Sequence, residues 1–417
     1  MPSFDVSRFF EKNRKERIDI VAKFANLTKQ EIQTLEDSGG ISFEQADKMV
    51  ENAIGTFSFP LGIATNFTIN KKEYLIPMVI EEPSVIAAAS KAAKIARMHG
   101  GFAMQNDESY SIGQVQVVNV DVESATQKVL QSSKEILNLA NSKSNTLSKI
   151  GKGAKDVSCK EIKTDSGPML IVELLIDVGD AMGANVTNTM CEAVAPLIEK
   201  ITGGKVILRI LSNYSTRRMV RGTATFDKEA VGGQETVDNI VLAYQFAAYD
   251  EYRAVTHNKG VMNGIIAVAN ATGQDTRAIE AAAHAYAARN GRYTSITQWD
   301  KDKDGNLVGK IEIPMSVGIV GGIINVHPTA KICTKILGVE SASELACIIG
   351  AAGLAQNFSA LRALASEGIQ KGHMRLHARN IAAAAGATNE QIDALVKKMT
   401  AEGNISINRA RELLEQT

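Results

Sequence analysis

The chain has 417 residues, which at roughly 100 to 200 residues per domain makes two or three folding units with room for a sizeable core. The 46 Lys and Arg balance the 46 Asp and Glu, so no long-range basic field favours nucleic acid or an anionic membrane, and any anion must be bound locally. Four widely spaced cysteines, Cys159, Cys191, Cys333 and Cys347, form no C-x-x-C pair, which argues against a disulfide framework and a structural zinc and suits a reducing cytoplasm. The opening MPSFDVSRFFEKNRKER lacks an apolar targeting core, and apolar stretches such as 317–326 fall short of the roughly 18 residues that span a bilayer, so a soluble cytosolic protein is expected.

Residues 1–55 read as short helices, because LTKQEIQTLEDSG and ISFEQADKMVENAIG place apolar side chains three and four apart and end at glycines. FTINKKEYLIPMVI alternates like strand. EEPSVIAAASKAAKIARMHGG then predicts a helix with Pro83 at its first position, Gly100 and Gly101 at its end, and Glu82 at its mouth. From about 108 to 214 the order is strand (SIGQVQVVNV), helix (ESATQKVLQSSKEILNLAN), two strands (VSCKEIKT and GPMLIVELLIDV), helix (DAMGANVTNTMCEAVAPLIEKITGG) and strand (KVILRILSNY). This is a ferredoxin-like βαββαβ split, inserted into a larger, mainly helical domain made of 1–107 and 215–367, for an α+β chain. An amphipathic helix over 229–256 leads into DEYRAVTHNKGVMNG, which reads as a polar, glycine-containing loop. A helix capped by Asp275 follows, then a hairpin in KDKDGNLVGKIEIP with an Asp-Gly turn. Residues 339–367 are apolar at helical spacing, and 368–417 read as three short helices forming a mobile appendage.

Neither a G-x-G-x-x-G fingerprint nor a Walker loop is present. Asp180-Ala-Met-Gly183-Ala-Asn185 is a strand end entering a helix through glycine, where free backbone N–H groups and the helix dipole suit a phosphate; the alternative is an ordinary β-to-α turn. Glu82, Lys259 and Asp275 stand at helix mouths or loops where they can converge, although each alone passes for a solvated charge or a cap. His373 and His377 share a helix face, but the usual glutamate and a third ligand are missing, so no metal is expected.

ENAIGTFSFPLG, EEPSVIAAAS, DAMGANVTNTM, VTHNKGVMNG, ATGQDTRAIEA, GLAQNFSALRAL and GHMRLHARN, in this order, resemble the bacterial and archaeal class of 3-hydroxy-3-methylglutaryl-CoA (HMG-CoA) reductases over nearly the whole chain. The resemblance implies four-electron interconversion of HMG-CoA and mevalonate plus CoA by two NAD(P)H, through a mevaldyl-CoA hemithioacetal and mevaldehyde. It implies a non-Rossmann NAD(P) site on the small domain, a CoA and HMG site on the large one, a C-terminal flap that closes over substrates, and dimers with the site between subunits. Residue by residue, it assigns catalysis to Glu82, Lys259, Asp275 and His373, HMG binding to Ser84, Arg253, Asn263 and Gln356, and nicotinamide-cofactor binding to Asp180, Met182, Gly183, Asn185 and Asn213.

These groups suit the chemistry. Hydride addition to a thioester creates an oxyanion that the Lys259 ammonium can stabilise. The departing CoA thiolate, of free pKa about 8.5, needs a proton, which an imidazole titrating near about 6.5 can give. The second alkoxide needs an acid, for which Glu82 is the candidate. Where some NADH-preferring members place an acidic residue, this chain has Asn141-Ser-Lys143-Ser144-Asn145, so a 2′-phosphate is not repelled and NADPH is preferred over NADH. Lys152 interrupts what is often a glycine triplet, and Gln274 precedes Asp275 where Asn is common. The rival readings are a related acyl-CoA reductase with another substrate and a non-catalytic CoA- or nucleotide-binding protein.

Overall fold

The computed structural model describes residues 6, 8–366 and 378–416. At the N-terminus α1 (Arg14–Ala25), α2 (Lys29–Glu36) and α3 (Phe43–Met49) each open on a reciprocal capping box, Asn13 with Glu16, Thr28 with Glu31 and Ser42 with Gln45. The antiparallel strands β1 (Leu61–Ile69) and β2 (Lys72–Val79) lead to α4 (Val85–Ala96) and β3 (Phe102–Asn106). Pro83 is not the first helical residue. The helix starts two residues later, after Ser84, whose φ of 82° is left-handed and whose side chain caps nothing.

The chain then builds β4 (Tyr110–Val118), α5 (Val122–Gln131), α6 (Ser133–Asn141), the short α7 (Asn145–Lys149), β5 (Gly153–Thr164), β6 (Gly167–Asp177), α8 (Ala184–Thr202) and β7 (Lys205–Ser212). The sheet order β5-β6-β4-β7, antiparallel at every pairing, is that of a ferredoxin-like layer. Its first helix is broken at Ser132, so α5 and α6 replace the single helix expected there. Strict alternation turns Val115 and Val117 inward against Leu170, Val172 and Ile176, and α8 covers them with Met190, Val194 and Ile198. A Cβ on Gly113 would meet Cys191 Sγ at 2.3 Å, so glycine is what lets α8 lie this close to β4.

Beyond the insert, β8 (Met219–Phe226) returns to pair with β3, and α9 (Lys228–Val231), α10 (Gln234–Tyr249), α11 (Glu251–Ala271), α12 (Thr276–Ala287), β9 (Thr297–Lys301), β10 (Leu307–Pro314), α13 (Pro328–Leu337) and α14 (Ala342–Ala365) follow. The larger part is mainly helical, as expected, around a single sheet. Its strands form one six-stranded sheet, β2-β1-β3-β8-β10-β9, because β3 and β8, at opposite ends of the insert, join the β1–β2 pair to the predicted β9–β10 hairpin. Phe226 seals the sheet to α14, with its ring 4.0 Å from Phe358 and 5.7 Å from Trp299. Burying such side chains contributes roughly 1.5–3 kcal/mol each.

The segment expected as a loop, DEYRAVTHNKGVMNG, lies in the 21-residue helix α11. Asp250 caps it by accepting from Arg253 N at 2.7 Å, and Ala254, Val261, Ile265 and Val268 face the core at helical spacing. The expected helix over 229–256 accordingly divides at Gly232, Gly233 and Asp250. Gly264, read as a breaker, permits close helix crossing: a Cβ there would meet Ala352 O of α14 at 2.5 Å. α14 itself is long and apolar enough to cross a bilayer by length and composition, beyond the stretches noted from sequence, but 83% of its apolar window is buried inside the fold. Residues 378–416 contain three helical segments with a small core of their own around Ala382, Leu395, Met399 and Leu413.

Candidate active site

The β2–α4 connection, α11 and α14 meet at one place. Lys259, on the exposed face of α11, donates to Glu82 Oε2 at 2.9 Å, and Asn263, one turn further, donates to the same oxygen at 3.4 Å. Gln356 of α14 lies against α11, its Cβ 2.9 Å from where a Cβ on Gly264 would stand. Among the described residues four buried side-chain atoms lack a hydrogen-bond partner: Thr68 Oγ1, Ser84 Oγ, His257 Nδ1 and Gln356 Oε1. Ser84 lies two residues from Glu82, and Gln356 packs on α11 at Gly264, so both bring unsatisfied polar atoms to the elements that carry the pair. Leaving each unpaired costs about 1–3 kcal/mol, so a polar ligand is the natural partner.

Arg253, six residues before Lys259 on a neighbouring stripe of α11, has no ion-pair partner among the described residues, and burial lowers its pKa from the ordinary arginine value. Asp275 does not join Glu82 and Lys259. It caps α12, accepting from Ala278 N at 3.1 Å, and lies 3.4 Å from Arg277 Nε; among the described residues it makes no hydrogen bond or ion pair with either partner. His373, with His377, lies outside the described residues. Below the pair, His257 is buried with Nε2 2.7 Å from Thr297 Oγ1, and loss of hydration pushes its pKa down to about 3, so it stays neutral.

The residues that the resemblance assigns to the cofactor gather at one end of the four-stranded sheet. Register pairs Asp177 with both Tyr110 and Gly153, and Ile112 with Ser212, so the turn after β6, the approach to β5 and the exit of β7 share that end. The first carries Asp180, Met182, Gly183 and Asn185, the second Lys143 and Ser144, and the third Asn213. Gly183 is the N-cap of α8 with φ 98°, and a Cβ there would meet Val178 Cγ1 at 2.6 Å. Only glycine fits, and it leaves the first N–H groups of α8 without a side-chain cap beside exposed Asn185, the type of helix N-terminus that can hold a phosphate. The Asp180 carboxylate accepts from Ala342 N at 2.8 Å, tying this turn to the first turn of α14. Ser144 caps α7 through Leu147 N at 3.4 Å, and Lys143 is exposed. Lys152 does not point to a phosphate: its Nζ lies 3.0 and 3.1 Å from the Asp177 carboxylate oxygens. Among the described residues no group of three His, Cys, Asp or Glu side chains is placed to hold a metal ion.

Sequence reasoning missed Arg218. It stands in an Arg-Arg pair that reads as solvated charge, yet it is 4% exposed. No local pattern reveals that burial.

A ferredoxin-like layer whose second helix opens on a bare glycine N-terminus, inserted into a larger unit that carries a lysine–carboxylate pair, is the arrangement of an oxidoreductase built without a Rossmann fold. A family profile, hydroxymethylglutaryl-coenzyme A reductase, matches residues 13–378. The chain belongs to that family. It is 54% identical over 409 residues to the 3-hydroxy-3-methylglutaryl-coenzyme A reductase of Archaeoglobus fulgidus, covering 98% of this chain and 93% of that one. The probable enzyme of Borreliella burgdorferi is 38% identical, over 80% of this chain and 77% of its own. The reductase structure from Streptococcus pneumoniae superposes with a TM-score of 0.85 at 40% identity, covering 99% of both chains. A class II enzyme structure from the same organism, bound to NADPH in open conformations, gives 0.82 at 40% identity, covering 97% of this chain and 99% of that one.

Proposed function

We propose that the protein interconverts HMG-CoA and mevalonate: HMG-CoA, two NAD(P)H and two protons give mevalonate, CoA and two NAD(P)⁺. The observation that carries this reading is the Glu82–Lys259 pair, with Asn263 on the same carboxylate oxygen and unpartnered Ser84 and Gln356 atoms on or against the elements that carry it. On this reading 1–107 with 215–367 form the CoA and HMG domain, 108–214 the nicotinamide domain and 368–417 the flap.

The nicotinamide supplies the two hydrides. Its diphosphate fits the Gly183 cradle, where a Cβ has no room, with Asp180, Met182, Asn185 and Asn213 around it and Lys143 and Ser144 at the ribose. Lys259 places its ammonium beside the thioester oxygen and offsets the charge that hydride addition creates there. His373 protonates the CoA sulfur as the hemithioacetal collapses to mevaldehyde. Lys259 then holds the aldehyde oxygen, and Glu82 delivers the proton that makes the alcohol. Ser84, Asn263 and Gln356 orient the HMG portion, and Arg253, without an ion-pair partner among the described residues, suits its free carboxylate. Asp275 joins the catalytic set by resemblance; here its carboxylate caps α12.

Absorbance at 340 nm with HMG-CoA and each nicotinamide in turn tests the reading. Consumption of two equivalents per substrate is expected, faster with NADPH because Lys143 tolerates a 2′-phosphate where an acid would not. A large advantage for NADH defeats the preference, and no consumption with either defeats the function.

The assembly we infer is a homodimer with a shared site. Ile54 and Phe57 in ENAIGTFSF, and Leu242, Phe246, Tyr249 and Tyr252 along α10 and the start of α11, are 59–101% exposed, far more apolar surface than scattered single residues explain. Burial pushes the thiols of Cys191 and Cys333 up to about 12, inert in a reducing cytoplasm, where we place the enzyme. Activity in the soluble fraction of lysed cells is expected to sediment at twice the chain mass; activity at the monomer mass, or in the membrane pellet, contradicts this.

A further inference from the structure

Arg218 lies on the second crossing between the two domains, just before β8, with its side chain sealed from water at 4% exposure. Among the described residues no carboxylate hydrogen-bonds its guanidinium. Nη1 donates to Met182 O at 2.8 Å and Ser316 Oγ at 3.2 Å, and Nη2 to Val317 O at 2.7 Å and Ala181 O at 3.4 Å. Burying a cation among neutral acceptors is expensive, and an apolar residue of similar size would avoid that cost. A planar fork does what an apolar residue cannot, fixing two separate backbone segments in one plane. Desolvation lowers the Arg218 pKa to about 10, opposed by the nearby Asp177 charge, so the cation persists at neutral pH.

The two clasped segments are the cofactor turn and a strap at 316–320 in the large domain. They touch closely: Ala181 forms a parallel bridge with Val320, Ile319 N donates to Asp180 O at 2.8 Å, and a Cβ on Gly318 would meet Met182 N at 2.4 Å. On its far side the strap is held by Gln274, whose side chain accepts from Gly318 N and donates to Gly318 O, both at 2.9 Å. Gln274 directly precedes Asp275. Cofactor turn, strap and the Asp275 loop are thus joined in series by two side chains.

We infer that Arg218 is a positioning residue for the nicotinamide cofactor, setting where the Ala181–Gly183 turn stands against the large-domain strap and hence where the hydride donor meets the substrate. The inference rests on the reading of this turn as the nicotinamide site.

Arg218→Ala and Arg218→Lys, with wild type alongside, test it through the KM of each substrate, kcat, the Kd of NADPH by equilibrium titration and melting temperature. Losing hydrogen bonds from a charged group should raise the NADPH KM and Kd about tenfold or more in Arg218→Ala, while the HMG-CoA KM stays within about twofold. Millimolar guanidinium should restore part of the NADPH affinity, and Arg218→Lys should fall between alanine and wild type. An unchanged NADPH Kd, or parallel rises in both KM values, overturns the inference. If Arg218→Ala does not fold, Arg218→Lys decides by the same split. A wild-type enzyme without nicotinamide-dependent turnover counts instead against the proposed reaction.

Discussion

Lys259→Met is expected to lower kcat by about 10³ or more while leaving the CoA-substrate KM nearly unchanged. Removing one neutral donor from an oxyanion site costs about 10²–10³ in rate, and a full ammonium in a closed site is worth at least as much. Glu82→Gln keeps the shape and a hydrogen-bond acceptor for Lys259 but holds no transferable proton, so a loss of roughly 10²–10⁴ is expected with substrate still bound. Neither change should move the melting temperature much. The Lys259 side chain is 62% exposed and that of Glu82 26%, and a pair so open to water is worth only about 0–1 kcal/mol to folding. Turnover within tenfold of wild type for either variant removes the assigned role.

His373→Gln should separate the two halves of the reaction. Reduction of the thioester requires that CoA leave as a thiol, and without a general acid that step should slow by about 10²–10⁴. Free mevaldehyde carries no sulfur to protonate. Its reduction by the same variant should therefore stay within a few-fold of wild type. Single-turnover measurements with HMG-CoA and with mevaldehyde compare the steps directly, and an equal loss on both means that His373 does something other than protonate the leaving group.

The βαββαβ order of the insert was legible because its signals are local: alternation in 110–118, an apolar run in 167–177, and helices bounded by Gly183 and Gly203. The six-stranded sheet was not, since β3 has only five residues and β3 and β8 acquire meaning only by pairing across the insert. α11 was misread for a related reason. Its polar residues serve the site and its glycines serve contact with α14, so tertiary needs mask its helical period. In the site, the pairing of Glu82 with Lys259 was foreseen by resemblance. Asp275 was read correctly as a cap, but its separation from that pair and the buried clasp of Arg218 depend on what surrounds them in space, which no spacing along the chain records.

The insert begins and ends at adjacent points: Asp107 N donates to Met219 O at 2.8 Å, and Asn106 faces Val220 across the β3–β8 pair. In an unfolded chain, closing that loop of roughly 110 residues costs about 4 kcal/mol of entropy before a single strand contact forms. Once β4 and β7 lie side by side, the two ends are already neighbours and most of that cost is gone. Order of assembly follows from this geometry: the insert gains by condensing first, as its strands emerge from the ribosome, and the larger sheet then zips shut across its base.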